Sequence, residues 1–207
     1  ILNLLKEKYD IEEDDFISAE IEVVPAGKAR DYGFDRSMVM AYGQDDNVCA
    51  YTSLRAIVEE ENPERTSCCI LSDKEEVGSQ GNTGMHSSAF ENTLAELMDK
   101  CGQYSELNIR RCLRNSMMLS SDVSAAHDPN YPSVSSPNQN NAEFGKGIVF
   151  NKYTGSRGKG GSNDANPEFI AKIRKVLDEN GVNYQTSELG KVDQGGGGTI
   201  AYILANK

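Results

Sequence analysis

Carboxylates at the ends of apolar runs are the residues of this sequence best suited to chemistry. Glu75 and Glu76 follow the apolar run that ends at Leu71, Asp122 follows a second apolar run, and Asp45 stands before an amphipathic segment. In α/β sheets, ligands and reacting groups collect beyond the carboxyl ends of strands. A pair of neighbouring glutamates alone is more often a solvated turn. The matching positions of the two aspartates therefore favour a shared site.

These four acids predict the metal centre of a two-metal hydrolase. Divalent cations are bound by carboxylates and imidazoles. Such an enzyme uses a bridging carboxylate, ligands for each metal, and a further carboxylate that takes a proton from water. The acids can fill these roles, but the set contains no histidine. His86 is predicted to be a structural or surface residue, whereas His127, close to Asp122, is a candidate for contact with substrate.

Alternating helices and strands must position these acids. Helices are predicted over residues 1–9, 47–61, 90–101, around 109–113, and over 166–181 and 200–204; strands are predicted over 68–71, 117–119, 147–150 and 182–187. This order predicts a three-layer α/β domain. Apolar residues at every second position from 17 to 23 predict a strand in a small β-rich unit that ends near residue 40.

Two glycine-rich stretches leave other functions open. Residues 152–162 form a predicted basic loop, which lacks the spacing of a phosphate loop, and residues 195–198 precede a predicted helix. Free N–H groups in such stretches can bind anions. A phosphate- or nucleotide-binding α/β protein without hydrolytic activity is thus the alternative. A calcium-binding acidic module is a third possibility, although the spaced acids of an EF-type loop are missing.

The composition is that of a soluble globular protein with an acidic surface. Of 207 residues, 38% are hydrophobic and 26% charged, and the formal net charge is −11. This charge argues against nucleic acid or an anionic membrane as partner, and no apolar run approaches the roughly twenty residues of a membrane span. The five cysteines form no CxxC pair. They are predicted to be reduced core residues of a cytoplasmic protein.

Four motifs, in their order along the chain, resemble the aspartyl aminopeptidase family of dizinc metallopeptidases. They are Gly43-Gln-Asp45-Asp46, Ser72-Asp-Lys-Glu-Glu-Val-Gly-Ser79, Ser121-Asp122 with Asp128-Pro-Asn-Tyr131, and the closing Gly-Gly-Gly-Gly-Thr-Ile200. The resemblance covers the whole chain. It implies a zinc-exopeptidase-like α/β domain into which a β-rich domain is inserted. Residues 1–40 would end that inserted lid or oligomerisation domain, and residues 41–207 would be an incomplete catalytic domain.

The resemblance also implies roles for single residues. Asp45 would bridge two divalent ions, zinc or alternatively cobalt or manganese, Glu76 and Asp122 would be terminal ligands, and Glu75 would be the general base. The implied reaction releases single N-terminal residues, Asp or Glu, from peptides, and the implied assembly is a homo-oligomer, a dodecamer. Lys152 is the predicted partner of the acidic side chain. If Asn151 occupies that place instead, neutral or apolar residues would be preferred.

Two histidine ligands of that family have no counterpart here. One belongs to a His-x-Asp motif upstream of the insert and the other lies near the C-terminus. The chain also begins at Ile1 and stops at Lys207 within an apolar segment. These features predict an internal fragment that cannot complete both metal sites by itself.

Overall fold

The structure, a computed structural model, describes residues 1–207 except 136–140, 157–159, 189–190 and 192–198. Contacts within the chain divide it into two compact units, Ile1–Asp45 and Asp46–Lys207. The division falls inside the first turn of one continuous helix, Gln44–Val58. The assignment of residues 1–40 to an inserted domain stays a prediction.

The first unit contains one helix and one small sheet. Helix α1 (Leu2–Tyr9) confirms the helix predicted over residues 1–9 and is followed by a 3₁₀ turn, Glu13–Ile17. Strands β1 (Arg30–Tyr32) and β2 (Met38–Met40) pair antiparallel. The strand predicted over residues 17–23 is wrong, because this segment has no strand assignment in the described chain. Alternation creates an apolar face but not the neighbouring strand that must accept its hydrogen bonds.

Five helices from residue 44 onward confirm the predicted ones. They are α2 (Gln44–Val58), α3 (Ala89–Lys100), α4 (Glu106–Arg114), α5 (Pro167–Glu179) and α6 (Ala201–Ala205). Two have side-chain caps: Ser105 accepts a hydrogen bond from the Asn108 N–H at 3.1 Å, and Asn166 accepts one from the Phe169 N–H at 2.8 Å. Pro167 opens α5, where its missing N–H is not needed.

A parallel β-α-β unit follows the polar loop. Strand β3 (Ile148–Asn151) pairs with β6 (Tyr184–Ser187) in parallel, and helix α5 lies between them in sequence. These strands confirm the ones predicted over 147–150 and 182–187. The loop predicted over 152–162 is wrong, since β4 (Tyr153–Ser156) and β5 (Gly160–Asp164) form an antiparallel hairpin. Glycine-rich sequence suggested a loop, but backbone pairing does not require side chains.

The strands predicted over 68–71 and 117–119 are also wrong. Both segments lack strand assignment, and the nearest pairings are isolated parallel bridges, Asp73 with Gly84 and Ala126 with Ala142. The two segments still lead into Glu75 and Asp122, as irregular backbone. Buried apolar residues among those described are few and lie around these bridges and on α6: Met85, Ala142, Ala201 and Ile203.

The five cysteines form no disulfide bond in the structure, and they do not form the core. All five are free, and none is buried; Cys68 and Cys101 are exposed. The prediction of core positions is therefore wrong. No helix in the described part of the chain combines the length and apolar character needed to cross a bilayer.

Candidate metal centre

Asp45 and Asp46 lie in the first turn of α2. The helix begins at Gln44, directly after Gly43, whose φ is 75°. The two aspartates are therefore inside the helix, whereas the sequence predicted a helix that begins after them, at residue 47. The first four N–H groups of a helix have no intrahelical partner, and the helix dipole is positive at this end. Both effects favour carboxylates here.

Asp45, Asp46 and Asp122 form a cluster of acidic side chains, named here the aspartate cluster. Each offers one carboxylate oxygen, and the three oxygens lie within 4.8 Å of one another; Asp45 and Asp46 are exposed and Asp122 is half-buried. Like charges so close repel each other, and a divalent cation would remove this repulsion. Carboxylate oxygens are suitable ligands for such ions. The cluster fits a divalent metal ion.

The aspartate cluster includes two of the three metal ligands that the resemblance implies. Within the described residues it is the one group of three or more Asp, Glu, His or Cys side chains with this geometry, and Glu76 does not belong to it. Asp46 had no predicted role. Only its position beside Asp45 could have indicated that Asp46 belongs to the cluster, because adjacent carboxylates in the first turn of a helix can both reach one metal ion.

Asp122 is positioned by its own turn and by a link to α6. One Asp122 carboxylate oxygen accepts a hydrogen bond from the Val123 N–H at 2.7 Å. Two residues earlier, the Ser120 hydroxyl donates to the Thr199 hydroxyl oxygen at 3.0 Å, and that oxygen also accepts from the Ala201 N–H at 3.1 Å. The segment that carries Asp122 is thereby tied to the start of α6.

Cys49 lies one turn further along α2, and the charge of the aspartate cluster affects the pKa of its thiol. Burial raises the pKa of its thiol to about 11, and the hydrogen bond to Asp46 and the charges of Asp46 and Asp122 add to the increase. A hydrogen bond with Ser121 acts in the opposite direction. The reactivity of this thiol should therefore depend on the charge of the cluster.

Glu75 and Glu76 lie in a short, conformationally restricted turn. They begin a 3₁₀ turn, Glu75–Val77, between Lys74 and Gly78, both of which have left-handed backbone conformations. Lys74 (φ 65°) and Ser79 (φ 58°) are not glycines, and such conformations are uncommon for them. Glu75 is half-buried and Glu76 exposed. Backbone strain of this kind is concentrated at functional sites.

The end of this turn is fixed by a close backbone approach. Ser79 is buried at 4% exposure, and its carbonyl oxygen accepts a hydrogen bond from the His86 N–H at 3.2 Å. A Cβ on Gly84 would stand 2.2 Å from that oxygen. Only glycine fits at this position, so Gly84 allows the segment after Glu76 to fold back on itself.

The two histidines are not part of the aspartate cluster. The His86 ring nitrogen Nε2 lies 3.2 Å from the Tyr202 hydroxyl of α6. His127 is exposed; its N–H donates to the Ala142 carbonyl at 2.8 Å, and its Nδ1 lies 3.3 Å from the Ser135 hydroxyl. The contact of His127 with substrate stays a prediction.

Lys152 forms an ion pair in the structure. Its ammonium nitrogen lies 2.6 Å from an Asp164 carboxylate oxygen, 3.1 Å from the Tyr153 hydroxyl oxygen and 4.2 Å from the centre of the Tyr153 ring. The hydrogen bonds to Asp164 and Tyr153 raise the pKa of Lys152. The predicted substrate cation therefore has an internal counter-ion, which the sequence did not indicate.

Asn151 connects the end of β3 to the segment that carries Asp122. Its amide nitrogen lies 3.5 Å from the Ser124 hydroxyl oxygen. Its amide oxygen is buried and has no hydrogen-bond partner among the described residues. The glycine run 195–198, on which the anion-binding alternative depended, lies outside the described residues.

Comparisons with known proteins agree on one family. The family model described as "Aminopeptidase I zinc metalloprotease (M18)" matches residues 1–207. A probable M18 family aminopeptidase 1 of Clostridium acetobutylicum is 68% identical over 205 residues, which are 99% of this chain and 44% of that protein. The chain thus spans less than half the length of this relative.

Solved structures confirm the α/β peptidase fold class. The crystal structure of aminopeptidase I from Clostridium acetobutylicum matches with a TM-score of 0.87 and 66% identity over 99% of this chain and 44% of its own. An M18 family aminopeptidase from Thermotoga maritima gives a TM-score of 0.90 and 47% identity over 99% and 45%. The S. cerevisiae mApe1 dodecamer, at 20% identity and a TM-score of 0.63 over 87% and 39%, shows the shared fold alone.

Proposed function

Because the chain belongs to the M18 family of aminopeptidase I zinc metalloproteases, we propose that it forms part of the catalytic domain of a metal-dependent aminopeptidase. This membership confirms the resemblance found in the motifs. It supports zinc as the metal and gives no support to a phosphate- or nucleotide-binding protein. The proposed reaction is the hydrolytic release of single N-terminal residues from peptides.

The observation that carries the proposal is the aspartate cluster. Asp45 and Asp122, with Asp46 beside them, would hold a divalent ion through carboxylate oxygens. When bound, such an ion polarises the scissile carbonyl and makes water more acidic. We propose that Asp45 would be shared by two ions and that Asp122 and Glu76 would each hold one of them.

Glu75 is the proposed general base. It would take a proton from the attacking water and pass it to the leaving amine, which is the usual double role of a carboxylate in peptide hydrolysis. The 3₁₀ turn between Lys74 and Gly78 fixes the backbone of Glu75, and its half-buried position keeps the carboxylate partly out of bulk water. Glu76, exposed and next in the chain, suits the separate role of ligand.

The proposed substrates carry Asp or Glu at the N-terminus. Binding such a side chain requires a cation, because a carboxylate without a partner is costly to desolvate. Lys152 is that cation in the proposal, with His127 as a further substrate contact. Asn151 offers the alternative, in which neutral residues are preferred.

Assembly and location extend the proposal to the whole protein. We propose a homo-oligomer, a dodecamer like that of S. cerevisiae mApe1, with residues 1–40 belonging to an inserted lid or oligomerisation domain. The free cysteines support the proposed cytoplasmic location.

Exchanging the two glutamates separately tests the proposed roles in the whole protein. Glu75→Gln should keep its metal but lose about a hundred- to ten-thousandfold in kcat, the usual contribution of a general base. Glu76→Gln should lose metal from one site, since a neutral amide is a poorer ligand than a carboxylate. Excess zinc should restore part of the activity of Glu76→Gln only.

Elemental analysis and steady-state rates on peptides distinguish the outcomes. Metal lost in Glu75→Gln and retained in Glu76→Gln would show that the two roles are reversed. Full activity in both variants would exclude the two-metal mechanism. Glu96→Gln, an exposed position of α3, is the control for loss of one negative charge.

A further inference from the structure

The base of the β4–β5 hairpin neutralises the Lys152 ammonium group. Tyr153 is paired with Asp164 across the hairpin, which brings the Asp164 carboxylate oxygen to 2.6 Å from the Lys152 nitrogen. The Ala165 N–H also donates to the Lys152 carbonyl at 2.9 Å, so the backbone keeps the two side chains opposite each other. An acidic ligand that approaches Lys152 is therefore repelled by the Asp164 carboxylate.

This ion pair stands next to the segment that carries Asp122. Asn151, the neighbour of Lys152, contacts Ser124, and Ser124 lies two residues after Asp122. The buried amide oxygen of Asn151 lacks a hydrogen-bond donor among the described residues.

We propose that Asp164 is a specificity-determining residue that competes with the acidic side chain of a peptide's N-terminal residue for the Lys152 ammonium group. The proposal rests on the aminopeptidase function proposed above and deepens it by naming what limits the preference for acidic residues. Asp164 reduces the advantage of Asp or Glu over neutral residues of the same shape. Its carboxylate repels an incoming carboxylate and occupies one of the donors of Lys152.

The exposure of the pair determines how large the effect is. The Lys152 side chain is 36% exposed and that of Asp164 is 69% exposed, so water screens their attraction. Exposed ion pairs are weak, and opening one of them changes an equilibrium by about two- to fivefold. Asp164 should therefore adjust the preference for acidic residues without abolishing it.

The test compares isosteric substrates in the zinc-loaded whole protein. The ratio of kcat/KM for Asp- over Asn-terminated peptides should rise about two- to fivefold in Asp164→Asn. Asp164→Glu, which keeps the charge, should retain the ratio of the unchanged protein. Lys152→Gln should lower the ratio, and adding Asp164→Asn to Lys152→Gln should change nothing further. Glu179→Gln, which removes an equally charged partner from the exposed pair with Lys175 on α5, should leave the ratio unaltered.

Binding of free L-aspartate and L-asparagine, measured by calorimetry, tests the same competition without turnover. The inference is overturned if Asp164→Asn leaves both the rate ratio and the binding ratio unchanged. It is also overturned if Asp164→Asn changes these ratios by the same factor in Lys152→Gln as in the protein that keeps Lys152. Failure of the proposed function has a different result, in which no N-terminal residue is released from either peptide. The binding ratio then still decides the role of Asp164.

Discussion

Asp122→Asn should change the stability of the protein in opposite directions with and without metal. Asparagine has nearly the shape of aspartate, and its amide oxygen can still accept the hydrogen bond from the Val123 N–H. The change therefore removes one negative charge from the aspartate cluster and leaves the local turn intact. Without metal this relieves repulsion, whereas with metal it removes a ligand.

The separation within the cluster sets the size of the first effect. Two unit charges 4.8 Å apart in water repel each other by about 0.9 kcal/mol, and Asp122 has two such neighbours. Salt at 0.1 M, with a Debye length of about 10 Å, reduces the total to about 1 kcal/mol. Zinc affinity should fall by at least about ten- to hundredfold, the loss that follows removal of groups that only support metal ligands.

Both effects are measured in the whole protein. Thermal unfolding in EDTA and in zinc gives the change in stability, and competition with a chelator gives the zinc affinity. Asp122→Asn should unfold at a higher temperature in EDTA and gain less from zinc. Asp178→Asn removes a charge from the exposed face of α5 and should not alter zinc affinity. The argument is refuted if Asp122→Asn is less stable in EDTA while zinc stabilises it as much as the unchanged protein.

Two further changes test the surroundings of the site. Gly84→Ala forces a Cβ to 2.2 Å from the Ser79 carbonyl oxygen and should cost about 1 to 3 kcal/mol of stability together with most of the peptidase activity. Gly102→Ala is the control: this glycine has φ +67° and nothing within 4 Å of an added Cβ, so the variant should lose about 1 kcal/mol of stability and keep the activity. The pKa of the Cys49 thiol is about 11 against an ordinary 9.0, so Cys49 should react with iodoacetamide at pH 8 about a hundredfold more slowly than an ordinary thiol. In Asp46→Asn the pKa is lower and the reaction should be faster. Equal rates in Asp46→Asn and in the unchanged protein would show that Asp46 does not raise the pKa of Cys49.

The helices could be predicted from the sequence because their signals are local. Helix α5 illustrates this, since Asn166 caps it, Pro167 opens it and Gly181, with φ 64°, follows its end. Each of these features depends on residues within a few positions of each other. The same holds for α2, apart from its first turn, which begins earlier than expected.

That carboxylates gather at one place could be predicted from the sequence, but not which residues form the aspartate cluster. The motifs identified Asp45 and Asp122, because carboxylates at element ends are visible in sequence. Whether Asp46 joins them depends on where α2 begins, and a boundary shift of a few residues decides it. The ion pair of Lys152 with Asp164 was hidden for a similar reason, since it exists only because β4 and β5 pair as strands.

The predicted strands that are missing failed because strand formation is not a property of one segment. The residues before Glu75 and Asp122 are apolar, yet Leu71 is 57% exposed and Leu119 is 66% exposed, and neither lies in a ladder. Strand β3 is comparably apolar and β6 is mostly polar, yet both form, since each finds the other in parallel register from Ile148 with Tyr184 to Asn151 with Ser187. Apolar content alone thus does not decide which segments enter a sheet, whereas the presence of a partner does. Asp122 keeps its position without a strand, because its own turn and the link between Ser120 and Thr199 hold it in place.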